Sequence, residues 1–307
     1  MHESFHPHRA QLFGIAYRML GRVSDAEDMV QETWLRWQRQ APGSVQSPQA
    51  WLISTVTRLC IDQLRSARHQ REEYYGVWLP EPLLQGPEFA DAPSPEKAAS
   101  VADSLTMAFM LLLETLNPVD RAIYLLREVF DYGYEEISSI VQKTPDNCRQ
   151  IVRRAKDRLQ QHPPAEAPPT EQAQRVVHYF VQASATGEMQ DFLALLTEDA
   201  VLYSDGGGQV LAAKYPIQGA SRIARFLIGI RKKRPEDLAP QFALINGRPG
   251  VVMHSGGQIY NVVTFEFHEG HIQAIYIMRN PQKLRHLPLR DGAPHHLTPS
   301  DATVLSS

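Results

Sequence analysis

Apolar residues recur at helical spacing through the first half of the chain and at alternate positions through much of the second. Phe5 to Leu20 carries one apolar face and stops at Gly21, a residue suited to a helix C-cap. Ser24 is then expected to cap Asp25-Ala-Glu-Asp-Met-Val-Gln-Glu-Thr-Trp-Leu-Arg-Trp37, with Glu27 at the capping-box position. Residues 41–48 are rich in Pro, Gly and Ser and read as a loop, and a third helix runs from about Pro48 to Arg68. Tyr134 to Leu159 reads as two short helices joined by a tight turn. Thr144 is a suitable N-cap, Pro145 fits the first helical position, and Asp146 favours the positive end of the dipole. Cys148, Ile151, Val152, Ala155 and Leu159 then face a core, and Asn147, Arg149, Gln150, Arg153 and Arg154 face away from it.

Beyond residue 170 the period changes. Helices are expected at 170–187 and 189–197, and Val201 to Ser204 is a strand entering the turn Asp205-Gly-Gly-Gly208. Gly219 to Lys233 is an amphipathic helix. Strands follow near 240–246, 250–255, 258–268 and 271–278. Trp78-Leu-Pro-Glu-Pro-Leu83 fits neither a regular helix nor a central strand, and five prolines lie between Pro80 and Pro95. That stretch is a linker, although Trp78, Leu79 and Leu83 make it apolar for one. The chain therefore divides into an all-α unit at 1–70, a linker at 71–95 and a second all-α unit at 96–162. A stiff Pro-rich spacer at 163–169, an α+β unit at 170–287 and a disordered tail at 288–307 complete it.

A basic face on the second helix of a helix-turn-helix is the layout that enters the DNA major groove, and Arg, Asn and Gln can pair bidentately with purine edges. Bulk charge does not add to this. The net charge is −3; residues 1–162 hold 18 Lys and Arg against 21 Asp and Glu, and residues 163–307 hold 13 against 13. DNA contact must come from a local patch, which favours a factor that needs a partner to bind DNA well. Cys60 and Cys148 both sit in helical patterns, so no disulfide or zinc framework is indicated. The twelve histidines show no metal-ligand spacing, and no cofactor is expected. With no long apolar span and no signal-peptide pattern, the expected location is the cytoplasm, without a membrane partner.

Three segments together resemble one family. Residues 25–37 resemble region 2 of bacterial sigma factors, the part that docks on the RNA polymerase clamp. Trp51-Leu-Ile-Ser-Thr-Val-Thr-Arg-Leu-Cys-Ile-Asp-Gln-Leu-Arg65 resembles the next helix, which faces the minus-ten promoter element. The helix-turn-helix resembles region 4, which reads the minus-thirty-five element. Their order and spacing, over about residues 5–161, are those of extracytoplasmic-function sigma factors. The motifs at 78–83, Asp-Gly-Gly-Gly at 205–208 and Asn-Pro-Gln-Lys-Leu at 280–284 are similar to those of the sigma-J-like subgroup. Its members carry a fused SnoaL-like domain of the NTF2-like fold. Arg58 departs from the Asn common in the minus-ten helix, and Gln142 stands in the turn where Gly is common. Gln209 and Gln282 replace residues that are often charged.

The resemblance implies that Asp25, Glu27, Asp28, Gln31, Glu32 and Leu35 dock on core polymerase, and that Trp51, Arg58, Arg65 and Arg68 serve the minus-ten element. The three arginines would track phosphates. For Trp34, Trp37 and Trp51, core packing and base stacking remain open, with packing preferred. Asn147, Arg149, Gln150, Arg153 and Arg154 would read the minus-thirty-five element. It further implies regulation in cis, with Trp78, Leu79, Pro80, Glu81, Pro82 and Leu83 meeting Asp205, Gly206, Gly207, Gly208, Asn280, Pro281, Lys283 and Leu284. Trp78 and Leu83 are expected to pack on the C-terminal domain. The expected partners are core RNA polymerase and promoter DNA, with no separate anti-sigma factor. One alternative makes the C-terminal domain a ligand sensor or small enzyme using residues such as Tyr203, Asp205, His254, Tyr260, Glu266 and Tyr276. Another is a helix-turn-helix repressor.

Overall fold

Gly21 sets the first corner of the fold. The helix α1 (Arg9–Leu20), entered through a 3-10 turn at His6–His8, ends there with φ of 69°, and the Gly21 amide returns to the Tyr17 carbonyl. The computed structural model describes residues 5–41, 43–72, 74–84, 102–159, 168 and 170–288, with the side chains of 67–72 excepted. All of the expected spacer at 163–169 except residue 168, all of the expected tail at 288–307 except residue 288, and the linker residues 85–95 lie outside the described residues. Helices α2 (Val23–Gln38) and α3 (Pro48–Glu72) complete the first bundle. In the second, α4 (Met107–Leu113) precedes α5 (Pro118–Glu128), which has Pro118 in its first turn and Asn117 as its cap. The pair α6 (Tyr134–Val141) and α7 (Pro145–Leu159) follows. In α7 the buried residues are Cys148, Ile151, Val152, Ala155 and Leu159, the face its spacing marks, and Thr144 Oγ1 accepts from the Asn147 amide at 3.3 Å.

One start differs from the expectation. Ser24 is not the cap of α2; the helix begins at Val23, behind Arg22, with no side-chain cap from its own segment. The acceptor comes from far along the chain, because Glu81 Oε2 takes the Val23 amide at 2.8 Å. An orphan N–H at a helix start accepts any well-placed oxygen, and a carboxylate there also meets the positive end of the dipole.

The two helical bundles share one core. A single cluster runs from Phe5, Leu12 and Leu52 in the first to Leu125, Ile137 and Val152 in the second. The C-terminal unit packs α8 (Thr170–Thr186), α9 (Met189–Leu195) and α10 (Ala220–Arg231) against a sheet in the order β2-β1-β6-β5-β4-β3. Its strands are β1 (Leu196–Asp205), β2 (Ile217–Gln218), β3 (Ala239–Ile245), β4 (Arg248–Ser255), β5 (Gln258–His268) and β6 (His271–Met278). All pairs are antiparallel except β1 with β6. The α+β class and NTF2-like arrangement expected from the sequence are thus present. β1 starts at Leu196 rather than Val201, and α9 is correspondingly shorter than the expected 189–197. A bulge between Leu196 and Val201 breaks the alternation that would have shown it.

Strand alternation gives the sheet two covered faces. Val251, Val263, Phe265, Ile275 and Ile277 meet the helices α8, α9 and α10. Val252, Val262, Ala274, Tyr276 and Met278 meet Leu79 of the linker and Met107 of α4. The sheet is therefore sandwiched between its own helices and the sigma-like half of the chain.

Candidate functional site

Asp205, at the end of β1, is fully buried and collects four donors. Its Oδ1 accepts from the Tyr74 hydroxyl at 2.6 Å and the Gly207 amide at 3.0 Å; its Oδ2 accepts from the Leu79 amide at 2.9 Å and Lys283 Nζ at 2.8 Å. Lys283 is buried too. It donates to the Leu79 carbonyl at 2.6 Å and lies 4.3 Å from the Trp78 ring centre and 4.8 Å from that of Tyr74. Burial pushes the Lys283 ammonium down to about 8, against the pull of Asp205. Asn280 Nδ2 donates to the Tyr74 hydroxyl at 2.8 Å, and its Oδ1 caps the 3-10 turn Pro281–Leu284 through the Gln282 amide. Gly206 and Gly207 permit this: a side chain at Gly207, where φ is 59°, would collide with Asn280, and one at Gly206 with Val210 and Ala212. Gly208 sits against Tyr75. Pro281, Gln209 and Gln282 are exposed, and Leu284 is buried in the same cluster as Leu79.

The linker grips the first bundle just as closely. The Glu81 amide donates to the Gly21 carbonyl at 2.8 Å and its carbonyl accepts from the Tyr17 hydroxyl at 2.6 Å. Its carboxylate caps α2 and meets Arg22 at 3.3 Å. Trp78 seats on Gly21; a Cβ there would lie 2.6 Å from the indole. His286 Nε2 donates to the Pro82 carbonyl at 2.8 Å, while Pro80 and Pro82 are buried. Leu83 differs from the expectation. Its side chain enters the helical core rather than the C-terminal domain, and only its backbone pairs across, with Asn246. Leu79 is the linker side chain that enters the sheet face instead. Leu79 and Leu83 lie four positions apart, so strand alternation alone would put them on one side; Pro80 and Pro82 stand between them and the segment is not a regular strand, so the two side chains are free to diverge.

Sequence reasoning missed Asn246. It forms the β3–β4 turn with Gly247, at φ of 50°, and its side chain is buried. Oδ1 accepts from the Leu83 amide at 2.9 Å; Nδ2 donates to the Tyr17 hydroxyl at 2.8 Å and the Leu105 carbonyl at 2.9 Å. One amide thus joins the first bundle, the linker, the second bundle and the sheet. The Asn-Gly pair signalled a turn, but nothing local signalled what the turn would touch. Tyr17, Arg18 and Tyr74 were missed likewise. Arg18 is buried, held at Ser104 Oγ by Nε at 3.0 Å and Nη2 at 2.8 Å, and burial pushes its guanidinium down to about 10.

The expected nucleic-acid and polymerase residues fall in two states of exposure. Arg149, Gln150, Arg153 and Arg154 are exposed on α7 and Asn147 is half-buried; Arg149 pairs with Asp146 and lies 5.2 Å from the Tyr134 ring centre. Arg58 is engaged: Nε donates to the Ile140 carbonyl at 2.9 Å and Nη2 to that of Ser139 at 3.0 Å, at the C-terminal end of α6. Arg65 is exposed beside Asp62, and the Arg68 side chain lies outside the described residues. Trp51 is half-buried against Trp37, with ring centres 5.4 Å apart, and Trp34 meets Phe5 at 4.8 Å. Glu27, Asp28, Gln31 and Leu35 form an open stripe on α2, with Asp25 and Glu32 half-buried and paired to Arg22 and Arg36.

Residues 5–70 match the Sigma-70 region 2 model and residues 106–159 the Sigma-70 region 4 model. The ECF RNA polymerase sigma factor SigJ of Mycobacterium tuberculosis is 32% identical over 295 residues, covering 92% of this chain and 93% of that protein. The chain belongs to the extracytoplasmic-function RNA polymerase sigma factors. A probable ECF sigma factor of the same organism, SigI, is 27% identical over 286 residues, with the same coverage. The crystal structure of M. tuberculosis SigJ superposes with a TM-score of 0.75 at 29% identity, covering 94% of this chain and all of that one.

As a sigma factor, the protein is a transcription initiation factor rather than an enzyme. Phe180, Phe192 and Phe265 fill the space between the sheet and its helices, edge to face at 5.9 and 4.9 Å. Tyr203 and Tyr276 stack on each other at 5.2 Å on the opposite face. Glu266 is buried there, accepting from the Ala108 amide and Thr106 at the start of α4. No helix among the described residues is long and apolar enough to cross a membrane.

Proposed function

We propose that the C-terminal domain regulates this sigma factor in cis by holding the two promoter-reading regions together through the linker. Its residues 1–70 would serve core polymerase and the minus-ten element, residues 96–162 the minus-thirty-five element, and residues 170–287 the regulation. The observation that carries the reading is Arg58 on the carbonyls of Ser139 and Ile140. Elements centred about 25 base pairs apart are separated by roughly 85 Å of duplex. A minus-ten helix bonded to the helix-turn-helix cannot span that distance, so this arrangement is a closed one. Leu79, Glu81 and Leu83 tie the linker to both halves, and a tethered partner acts at millimolar effective concentration without needing a tight intrinsic contact.

The route to opening follows from exposure. Glu27, Asp28, Gln31 and Leu35 remain open to solvent in the closed form, so polymerase can dock before the regions separate. Docking on α2 would then compete with Glu81 for the geometry of its first turn. This reading needs no separate anti-sigma factor, and the factor would act in the cytoplasm on core polymerase and promoter DNA.

Run-off transcription with purified core polymerase tests it. Removing residues 170–307 should raise promoter-dependent product. Since truncation exposes the Leu79 and Met107 face, the full-length Asp205→Asn protein should be run beside it, with a fluorophore pair on α3 and α7 reporting their separation. Unchanged separation and unchanged output in the point variant would overturn the latch.

A further inference from the structure

The segment Ala220 to Arg234 contains Arg222, Arg225, Arg231, Lys232, Lys233 and Arg234 and not one carboxylate. That is half of the twelve Lys and Arg between residues 170 and 287, so positive charge is concentrated here in a domain whose remaining residues hold six Lys and Arg against ten Asp and Glu. The apolar side of α10, with Ile223, Ala224 and Leu227, is buried in the core, which leaves Arg222 and Arg225 on the solvent side. Arg279, from the end of β6, joins the cluster: its guanidinium lies 4.6 Å from the Tyr260 ring centre and donates to the Leu211 carbonyl at 2.6 Å. Arg234 donates to the Ser184 carbonyl at 3.2 Å, and burial together with the like charges of Arg279 and Arg231 pushes it down, Tyr260 opposing.

Among the described residues none of these seven cations makes an ion pair, whereas Lys283, Arg248, Arg121 and Lys156 each have a carboxylate within 2.8 Å. Two acids follow closely in sequence: Glu236 is exposed and makes no ion pair with these cations, and Asp237 is committed to Ser255 Oγ at 2.7 Å and the Gly256 amide at 2.6 Å. Glu198 lines the groove beside Arg222 and Arg225 without pairing to either. Helix-dipole chemistry accounts for cations at the C-terminus of α10 but not for Arg222 and Arg225, which stand in its N-terminal half, where a positive charge is disfavoured. The cluster also lies on the helix side of the sheet, away from the linker and α4. It therefore stays open in the closed form.

We propose that this flank of the C-terminal domain is a second DNA-contact surface, which takes duplex phosphates without reading sequence. Exposed, unpaired cations on a regular element are what a phosphate backbone requires, and the binding they supply is independent of base identity. The surface lets the closed factor associate with DNA while its promoter-reading helices are still held together.

Fluorescence anisotropy of the full-length protein with a non-promoter duplex, titrated between 50 and 200 mM salt, tests it. The variant Arg222→Gln/Arg225→Gln/Lys232→Gln/Lys233→Gln should lose at least about tenfold in affinity, and its log–log salt slope should fall by roughly 3 to 4, at about 0.9 per phosphate contact. Lys232→Arg/Lys233→Arg should keep both. If the fourfold variant melts early, Lys232→Gln/Lys233→Gln alone should still lower the slope by about 2. An unchanged slope overturns the proposal. So does unchanged duplex binding with weakened association to core polymerase, which would assign the surface to an acidic protein instead.

Discussion

The side-chain amide of Asn246 donates to the hydroxyl of Tyr17 at 2.8 Å, across 229 positions of sequence. The first bundle and the sheet thereby share a buried polar contact, and the same Tyr17 hydroxyl donates to the Glu81 carbonyl of the linker. A buried network of this kind is satisfied only when every member is in place. Burial also pushes the Tyr17 phenol well up, so it remains a neutral donor at physiological pH.

Asn246→Gly keeps the backbone conformation that φ of 50° requires but strands the Leu83 amide and the Leu105 carbonyl. Each unsatisfied buried group costs about 1–3 kcal/mol. The variant should melt earlier, and amide exchange at Leu83 should rise while that of the β5–β6 ladder does not. Equal protection loss throughout the sheet would mean that the turn, rather than the junction, had failed.

Lys283→Met removes one partner of a buried ion pair and leaves Asp205 charged with three donors. Breaking such a pair from one side costs about 3–5 kcal/mol. The linker should release first, because two of the remaining donors, Tyr74 and Leu79, belong to it. Proteolysis in the 74–84 segment, followed over time, should accelerate far more than cleavage within α8–α10. The double variant Asp205→Asn/Lys283→Met removes both charges but keeps an acceptor oxygen for the remaining donors, and should recover part of the loss.

Residues that depend on their own neighbours were legible in the sequence. The buried face of α7, its Thr144 cap and the strands β4–β6 follow from spacing and turn residues alone. The motifs at 78–83, 205–208 and 280–284 were visible as a group only through resemblance, and resemblance does not say which atom meets which. Ser24 looked like a cap because local chemistry permits it. Glu81 displaced it because the linker delivers a carboxylate to that amide, and no window on either segment contains the other. Asn246 was invisible for the same reason, since its partners lie 141 to 229 positions away. β1 was placed late because a bulge disrupts its period.

Gln142 holds φ of 55° at the end of α6, where glycine has no Cβ to strain. Gln142→Gly should stabilise the helix-turn-helix by up to about 1 kcal/mol. Gln142 is exposed, so little packing is lost in exchange. Thermal melting should shift upward by a few degrees. A downward shift would show that the glutamine side chain makes a contact worth more than the strain it relieves.

Glu266 makes the closed form sensitive to acidity. Burial raises its carboxyl from 4.5 to about 7, and that effect outweighs Arg248, the Ala108 amide and Thr106, which favour the charged form; Asp103 adds to the rise. Between about pH 4.5 and 7 the closed protein therefore holds a proton that the unfolded chain has released. Stability must fall as pH rises through that window, by at most about 3 kcal/mol, and the full penalty persists above it. The loss falls where the sheet touches the start of α4, since the groups facing Glu266 there are Thr106, Ala108 and Asp103 from the second bundle and Arg248 from β4. Glu266→Gln keeps the shape, carries no charge at any pH and should flatten the pH profile of denaturant unfolding across this range. Its stability at pH 8 should exceed that of the parent. Parallel profiles for the two proteins between pH 4.5 and 7 would show that other groups set the dependence.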